Sequence, residues 1–203
     1  MTYVSGMRER RVWGDLIGLV PPWRVRDVEF ALEQGEVRIF VEVGSRAELR
    51  CPSCEAACPG YDARERRWRH LDTMQYRTIV IGNVPRVECP THGVVQVAVP
   101  WAEAGSRVTA LFEALVIDWL LEASFAAVAR QLRLTWDEVA GIQERAVRRG
   151  LARRDREPPK RIGVDETSFQ KRHEYVTTVN DLGEGVVALR GRRPQAGVAG
   201  CLL

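Results

Sequence analysis

A chain of 203 residues with 45% hydrophobic and 28% charged content has room for one large domain or two to three small ones of ordinary globular composition. The longest apolar stretch, Leu111 to Leu121, is broken by Glu113 and Asp118 and falls short of the roughly eighteen residues a span needs; with no signal peptide either, a membrane or secreted role is excluded and a cytoplasmic location is expected. The net charge is only +3, so any attraction for a polyanion has to come from local clustering, and five cysteines in a reducing compartment favour metal over disulfides.

Residues Trp13 to Val20 suit a short helix stopped by Pro21-Pro22. A hairpin is expected next, from Trp23 to Leu32 and from Glu36 to Val43, because Val37, Ile39, Val41 and Val43 alternate onto one face and Gln34-Gly35 supplies the turn.

Two knuckles follow. Cys51-Pro52-Ser53-Cys54 and Cys89-Pro90-Thr91-His92 have the same two-residue gap, with 34 residues separating Cys54 from Cys89. Such pairs turn two donors toward one point, and two pairs side by side complete the tetrahedron Zn²⁺ prefers. Cys51, Cys54, Cys89 and His92 are therefore the expected ligands of a structural zinc, worth about 10–16 kcal/mol by comparison with zinc-finger peptides. Three thiolates and an imidazole leave no open position for chemistry. Cys58 reads as a bystander, and His70, in the run Arg67-Trp68-Arg69-His70, lacks the knuckle spacing. That run reads as a strand with Trp68 inward and the arginines outward, the alternative being a Trp that lines a nucleic acid. Further strands are expected at Tyr76 to Gly82 and Gly93 to Val99, making residues 1–100 a small β-rich module of hairpin plus zinc ribbon.

Beyond Pro100 the spacing turns helical. Val108, Leu111, Phe112, Leu115, Val116 and Trp119 recur three and four apart, which predicts a helix over 107–121. Ser124 is a natural N-cap for a second helix whose Phe125, Val128 and Leu132 share a face, and Thr135 with Glu138 forms a capping box opening a third, with Trp136, Val139, Ile142 and Ala146 as its apolar stripe. Two short helices joined at Arg133-Leu134 fit the helix-turn-helix pattern over 101–157. The later helix of that motif lies in the major groove, which makes Gln143, Arg145, Arg148 and Arg149 the exposed DNA-binding candidates. Arg153 and Arg154 extend the set: between Arg145 and Arg161 eight basic residues face two acidic ones. Arginine suits phosphate and guanine because its planar fork donates two parallel hydrogen bonds.

Pro158-Pro159 marks the next boundary, opening the segment 158–203. Strands are expected at Arg161 to Phe169, Tyr175 to Asn180 and Val186 to Leu189, with Asp181-Leu182-Gly183 as a turn: a meander. Asp165 in the first strand is placed to ligate Mg²⁺, and Glu166, its neighbour, points to the other face. The fold class is thus α+β: zinc ribbon, helix-turn-helix, then a β meander.

The order of hairpin, Cys-Pro-x-Cys, Arg-Trp-Arg-His-Leu-Asp, Cys-Pro-x-His, helix-turn-helix and Gly-Val-Asp-Glu-Thr-Ser-Phe resembles the ISL3-type insertion-sequence transposases over about residues 10–190. The resemblance implies that ribbon and helix-turn-helix bind double-stranded DNA at the element's terminal inverted repeats. It also implies that the meander begins a ribonuclease-H-like domain in which Asp165 is the first acid of an Asp-Asp-Glu triad. Only 38 residues follow Asp165, too few for the other two acids, so the expectation is a truncated transposase that binds DNA without cutting it. Magnesium would enter only with a complete site. A homodimer, or a mixed complex with full-length transposase, is compatible with that reading. The alternative is a free-standing zinc and helix-turn-helix transcriptional regulator, which has no need of the Asp165 strand.

Overall fold

Alternating valines and isoleucines set the first sheet. In the computed structural model, which describes residues 7–153, 160–170, 174–183 and 185–192, Trp23–Ala31 (β1) and Glu36–Val43 (β2) pair antiparallel. The hairpin is closed by a short 3-10 turn ending at Gly35, whose φ of 68° is the left-handed region glycine adopts freely. Val25, Val28, Val37, Ile39 and Val41 are buried, while Arg24 and Arg26 face outward.

The stretch between the zinc knuckles becomes a long hairpin of Gly60–Thr73 (β3) and Tyr76–Cys89 (β4). Strand β4 is longer than its apolar run predicts because it changes neighbours along its length. Its first half lies parallel to β2, from Glu36↔Arg77 to Val41↔Gly82, and its second half pairs with Gly93–Gln96 (β5), so its backbone groups stay satisfied to the end. The β5 strand is correspondingly shorter than the expected run to Val99. The sheet order is β1-β2-β4-β3 with β5 on β4. Gly82 sits where β2 and β4 come closest: a Cβ there would meet Val41 Cγ2 at 2.8 Å, so the parallel pairing requires glycine.

Trp68 points inward, and its ring packs edge-on against Trp101 at 5.3 Å, which in turn packs against Trp23 at 4.8 Å. This is the preferred geometry for aromatic pairs, and it anchors the core of the sheet. The first helix differs from expectation: it spans Met7–Leu16 (α1) rather than Trp13 to Val20, and Gly18, with a left-handed φ of 70°, ends the helical run before the prolines are reached.

Three helices follow, Ala110–Glu122 (α2), Phe125–Leu132 (α3) and Trp136–Arg153 (α4). Two of the three caps are the expected ones. Ser124 accepts from the Ala127 N–H, and Thr135 and Glu138 exchange hydrogen bonds as a capping box. Thr109 caps α2 by accepting from the Phe112 N–H. Val108, Phe112, Val116, Val128, Val139 and Ile142 make the helical core. The expected stripes were too wide: Leu111, Trp119 and Trp136 are 46%, 40% and 59% exposed, because three short helices around one small core enclose only their innermost faces. Trp136 lies against Phe125 at the rim, with ring centroids 5.5 Å apart.

The run Arg69-His70-Leu71-Asp72 at the end of β3 joins the sheet to the helices. The Arg69 N–H donates to Arg107 O and the Thr109 N–H to Arg69 O, while the Arg69 guanidinium sits 4.8 Å over the Phe112 ring. Leu71 packs into the helical core, and Asp72 pairs with both Arg69 and Arg133, the residue that ends α3 in a left-handed turn. The buried His70 places Nδ1 2.9 Å from the Thr109 hydroxyl. The Thr109 oxygen also accepts from the Phe112 N–H, so one hydroxyl ties the imidazole to the first turn of α2.

Burial, reinforced by the neighbouring Arg69 charge, pulls the His70 pKa down to about 4. The unfolded chain takes up its proton near pH 6.5, so this stability is fully present above pH 6.5 and is lost as pH falls toward 4, about 3 kcal/mol in all. We expect the unfolding free energies of wild type and His70→Gln to converge by that amount between pH 7 and pH 4, the zinc ligands being common to both. A pH-independent gap would mean that His70 titrates normally.

The chain falls into two compact units, residues 1–149 and 150–203. In the second, Ile162–Gln170 (β6), Glu174–Asp181 (β7) and Val186–Arg192 (β8) form an antiparallel meander in the order β6-β7-β8, as expected. The boundary expected at Pro158-Pro159 lies outside the described residues. Among the described residues, no helix is long and apolar enough to cross a membrane.

Candidate metal centre and nucleic-acid interface

The two knuckles meet because β3 and β4 bring the chain back to its starting point. The Cys51 loop is held by backbone bonds from the Cys51 N–H to Ala56 O and from the Glu55 N–H to Cys51 O, with Glu55 in the left-handed region at φ 58°. Cys89 ends β4 and His92 precedes β5, so the second knuckle is the tip of a tight hairpin whose Gly93 has φ 67°. Backbone N–H groups at both knuckles point at sulfur.

The ligand atoms of Cys51, Cys54, Cys89 and His92 all lie within 4.8 Å of one another. Cys54 Sγ is 3.7 Å from Cys89 Sγ, and His92 Nδ1 is 3.5 Å from both Cys51 Sγ and Cys89 Sγ. A tetrahedron with Zn–S of about 2.3 Å and Zn–N of about 2.0–2.1 Å has S···S edges of about 3.8 Å and S···N edges of about 3.5 Å. These three edges match a zinc tetrahedron, and Nδ1 is the imidazole nitrogen turned toward the sulfurs. The electrostatics agree at two of the three thiols: at Cys54 the Ala56 N–H pulls the pKa down, but the neighbouring Cys51 thiol and burial push it up overall. The Ser53 N–H is the main influence lowering Cys51, and at Cys89 burial is outweighed by the His92 and Thr91 N–H groups, which bring that thiol down to about 7. Cys58 stays outside the cluster. Its Sγ donates to Ala56 O at 3.4 Å, and burial beside the other sulfurs pushes its pKa up, as suits an inert thiol. His70, the other spare candidate, belongs to the α2 cap.

The α3 and α4 helices have the helix-turn-helix arrangement: an eight-residue helix, a turn through the left-handed Arg133, and a longer helix with Val139 and Ile142 inward. Residues 97–147 match the helix-turn-helix domain of transposase family ISL3, and residues 47–92 match the zinc-finger of transposase IS204/IS1001/IS1096/IS1165. The chain therefore carries the zinc ribbon and the helix-turn-helix of transposase family ISL3. It is 33% identical over 186 residues to the transposase for insertion sequence element IS1557 of Mycobacterium tuberculosis, in strains CDC 1551 / Oshkosh and H37Rv, which covers 88% of this chain and 42% of that protein. The transposase for insertion sequence element IS1001 of Bordetella parapertussis is 26% identical over 160 residues, covering 77% of this chain and 39% of the relative. The chain thus spans about two fifths of the length of these curated relatives. No solved structure matches it.

The arginines of α4 divide into two groups that sequence spacing did not separate. Gln143, Arg148 and Arg153 are exposed. Arg145 and Arg149, expected to be exposed, are half-buried and turned toward α2, where the buried Glu113 receives them both. Arg145 Nε is 2.7 Å from Glu113 Oε1, and Arg149 Nη2 is 3.0 Å from Oε2; Arg149 also pairs with Glu103, and Ser106 donates to Oε1 at 3.3 Å. Arg154 lies outside the described residues. Glu113 was the signal available in the sequence, since an acid between the core positions Phe112 and Val116 has to find a cation when the helix packs.

Asp165 is exposed on β6, opposite Thr178 of β7, and Glu166, opposite Thr177, points to the other face. Among the described residues, the single group of three or more clustered metal-binding side chains is the zinc site, so no second and third acid gather around Asp165.

Proposed function

We propose that this chain recognises the terminal inverted repeats of an insertion sequence, the zinc ribbon and the helix-turn-helix acting together on double-stranded DNA. The observation that carries the reading is the exposed surface of α4, with Gln143 and Arg148 outward, on a helix-turn-helix buttressed by a zinc-stabilised sheet. Gln143 has the donor and acceptor pair that reads adenine, and Arg148 has the fork that meets guanine or phosphate. The first 100 residues serve as a zinc-ribbon domain and 101–157 as the DNA-reading domain. Residues 158–203 form the opening of a ribonuclease-H-like fold with Asp165 as its first acid.

Affinity for a terminal-repeat duplex should fall with salt at a log–log slope of about −0.9 per phosphate neutralised. Arg148→Ala and Arg153→Ala should each flatten the slope by about 0.9 if each guanidinium meets one phosphate. Arg145→Ala should leave it unchanged, because its guanidinium is committed to Glu113. Equal effects at Arg145 and Arg148 would mean that α4 does not dock by its exposed face.

The 203-residue polypeptide is expected to bind such a duplex without cutting it. Two-metal chemistry requires several carboxylates around ions about 3.5–4 Å apart, and Asp165 alone does not supply them. Magnesium-dependent nicking by the purified chain, lost in Asp165→Ala, would overturn this part of the reading. A free-standing regulator is the second reading. The meander bearing Asp165 favours the transposase, since a regulator has no use for it.

A further inference from the structure

We propose that the cleft between α1 and β1 is a phosphate site, and that it gives the chain a DNA contact separate from α4. The inference rests on the DNA-binding reading for its choice of partner, but the site itself stands on its own geometry. Helix α1 brings Arg10 and Arg11 to a cavity of about 500 Å³, and β1 adds Arg24 and Arg26 from one side of the strand. Two acids, Asp15 and Glu42, share the lining, so four guanidiniums face two carboxylates. Glu42 is already taken, with Arg24 Nε and Nη2 at 2.9 and 2.8 Å from its Oε1. The cleft is therefore electropositive before anything enters it.

The cations are held in different ways. Arg10 Nη1 donates to Arg26 O at 3.0 Å, which fixes α1 against the edge of β1, and its Nε is buried without a hydrogen-bond partner. Arg26 rests its guanidinium 5.4 Å over the Phe40 ring. Arg11 and Arg26 are exposed and have no acidic partner among the described residues. Gly14, Leu19 and Trp23 make an apolar floor, so the ligand is recognised by charge and not by a base edge.

Phosphate is the anion these features fit. Arginine forks match its oxygens bidentately. Arg11 from α1 and Arg26 from β1 are the two cations left to meet the phosphates of a phosphodiester backbone. A free pyrophosphate has the same chemistry as that backbone, and the experiment separates the two sources.

The test uses the full zinc-loaded chain and Arg11→Ala/Arg26→Ala, which touches no zinc ligand, no residue of the helical core and no residue of α4. Fluorescence anisotropy on a terminal-repeat duplex across a salt series should show the slope flattened by about 1.8, for two phosphates lost, with zinc content and thermal midpoint unchanged. Calorimetric titration with inorganic pyrophosphate should show weak binding to wild type and none to the variant. If wild type binds pyrophosphate and the variant does not, while neither binds duplex, the cleft takes a free phosphate ligand and the DNA reading fails instead. A variant with the duplex slope and the pyrophosphate binding of wild type overturns the proposal.

Discussion

Cys51→Ser and Cys89→Ser are each expected to lose the metal and with it the fold of the zinc-bearing sheet. The wild-type chain should carry about one zinc, and the binding free energy, about 10–16 kcal/mol for comparable sites, is folding free energy because the four ligands converge only in the folded chain. Cys51 and Cys89 are also core residues, 1% and 2% exposed, packed with Val84, Val87 and Trp101. A protonated thiol or a hydroxyl there keeps the volume but cannot hold the knuckles together. The loss should spread, because α2 hangs from β3 through Arg69 and His70, and the end of α3 through Asp72. Chelation should therefore abolish DNA binding although no helical residue has changed. The checks are metal analysis, circular dichroism and anisotropy on the same preparations. Stoichiometric zinc with a native melt in the Cys51→Ser/Cys89→Ser double variant would rule out these ligands.

Glu113→Ala should be the most damaging substitution away from the metal, at about 3 kcal/mol or more. Its carboxylate is 5% exposed and receives Arg145, Arg149 and the Ser106 hydroxyl, so removing it leaves two half-buried guanidiniums without their shared acid. Breaking a buried pair from one side costs more than the pair contributes, since the remaining charge keeps its desolvation penalty. Replacing Arg145 and Glu113 together, as Met and Leu, should recover much of that loss. Denaturant midpoints of the single and double variants give the coupling directly. A midpoint within experimental error of wild type in Glu113→Ala would show that the arginines are solvated and free to reach DNA. Glu113→Gln keeps the volume but not the charge, and it should steepen the salt dependence of DNA binding as Arg145 and Arg149 are released toward phosphate.

Much of the local structure was legible before any coordinate. The two knuckles named all four zinc ligands, because a metal site imposes its spacing on the chain itself. The hairpin of β1 and β2, the Ser124 cap, the Thr135 and Glu138 box and the α3–α4 pair were likewise readable, since each depends on residues within a few positions of one another. The inward direction of Trp68 followed from strand alternation.

What spacing could not supply were the partners brought in from far along the chain. The parallel pairing of β2 with β4 depends on Gly82 letting Val41 approach, and Trp101 joins the sheet core from beyond the ribbon. Helical periodicity marked Arg145, Arg148 and Arg149 alike as candidates off the core stripe. Only the packing of α4 on α2 decided that Glu113 binds two of them and leaves Arg148 outside. The motif Arg69-His70-Leu71-Asp72 shows the same division. Its residues stood out in the sequence, but their purpose depended on where α2 and Arg133 arrive in space. A local pattern fixes which elements form and which atoms can ligate, because those energies come from near neighbours. The choice between a charge spent inside the fold and one left for DNA is made by residues 32 and 61 positions away, whose approach only the tertiary structure determines.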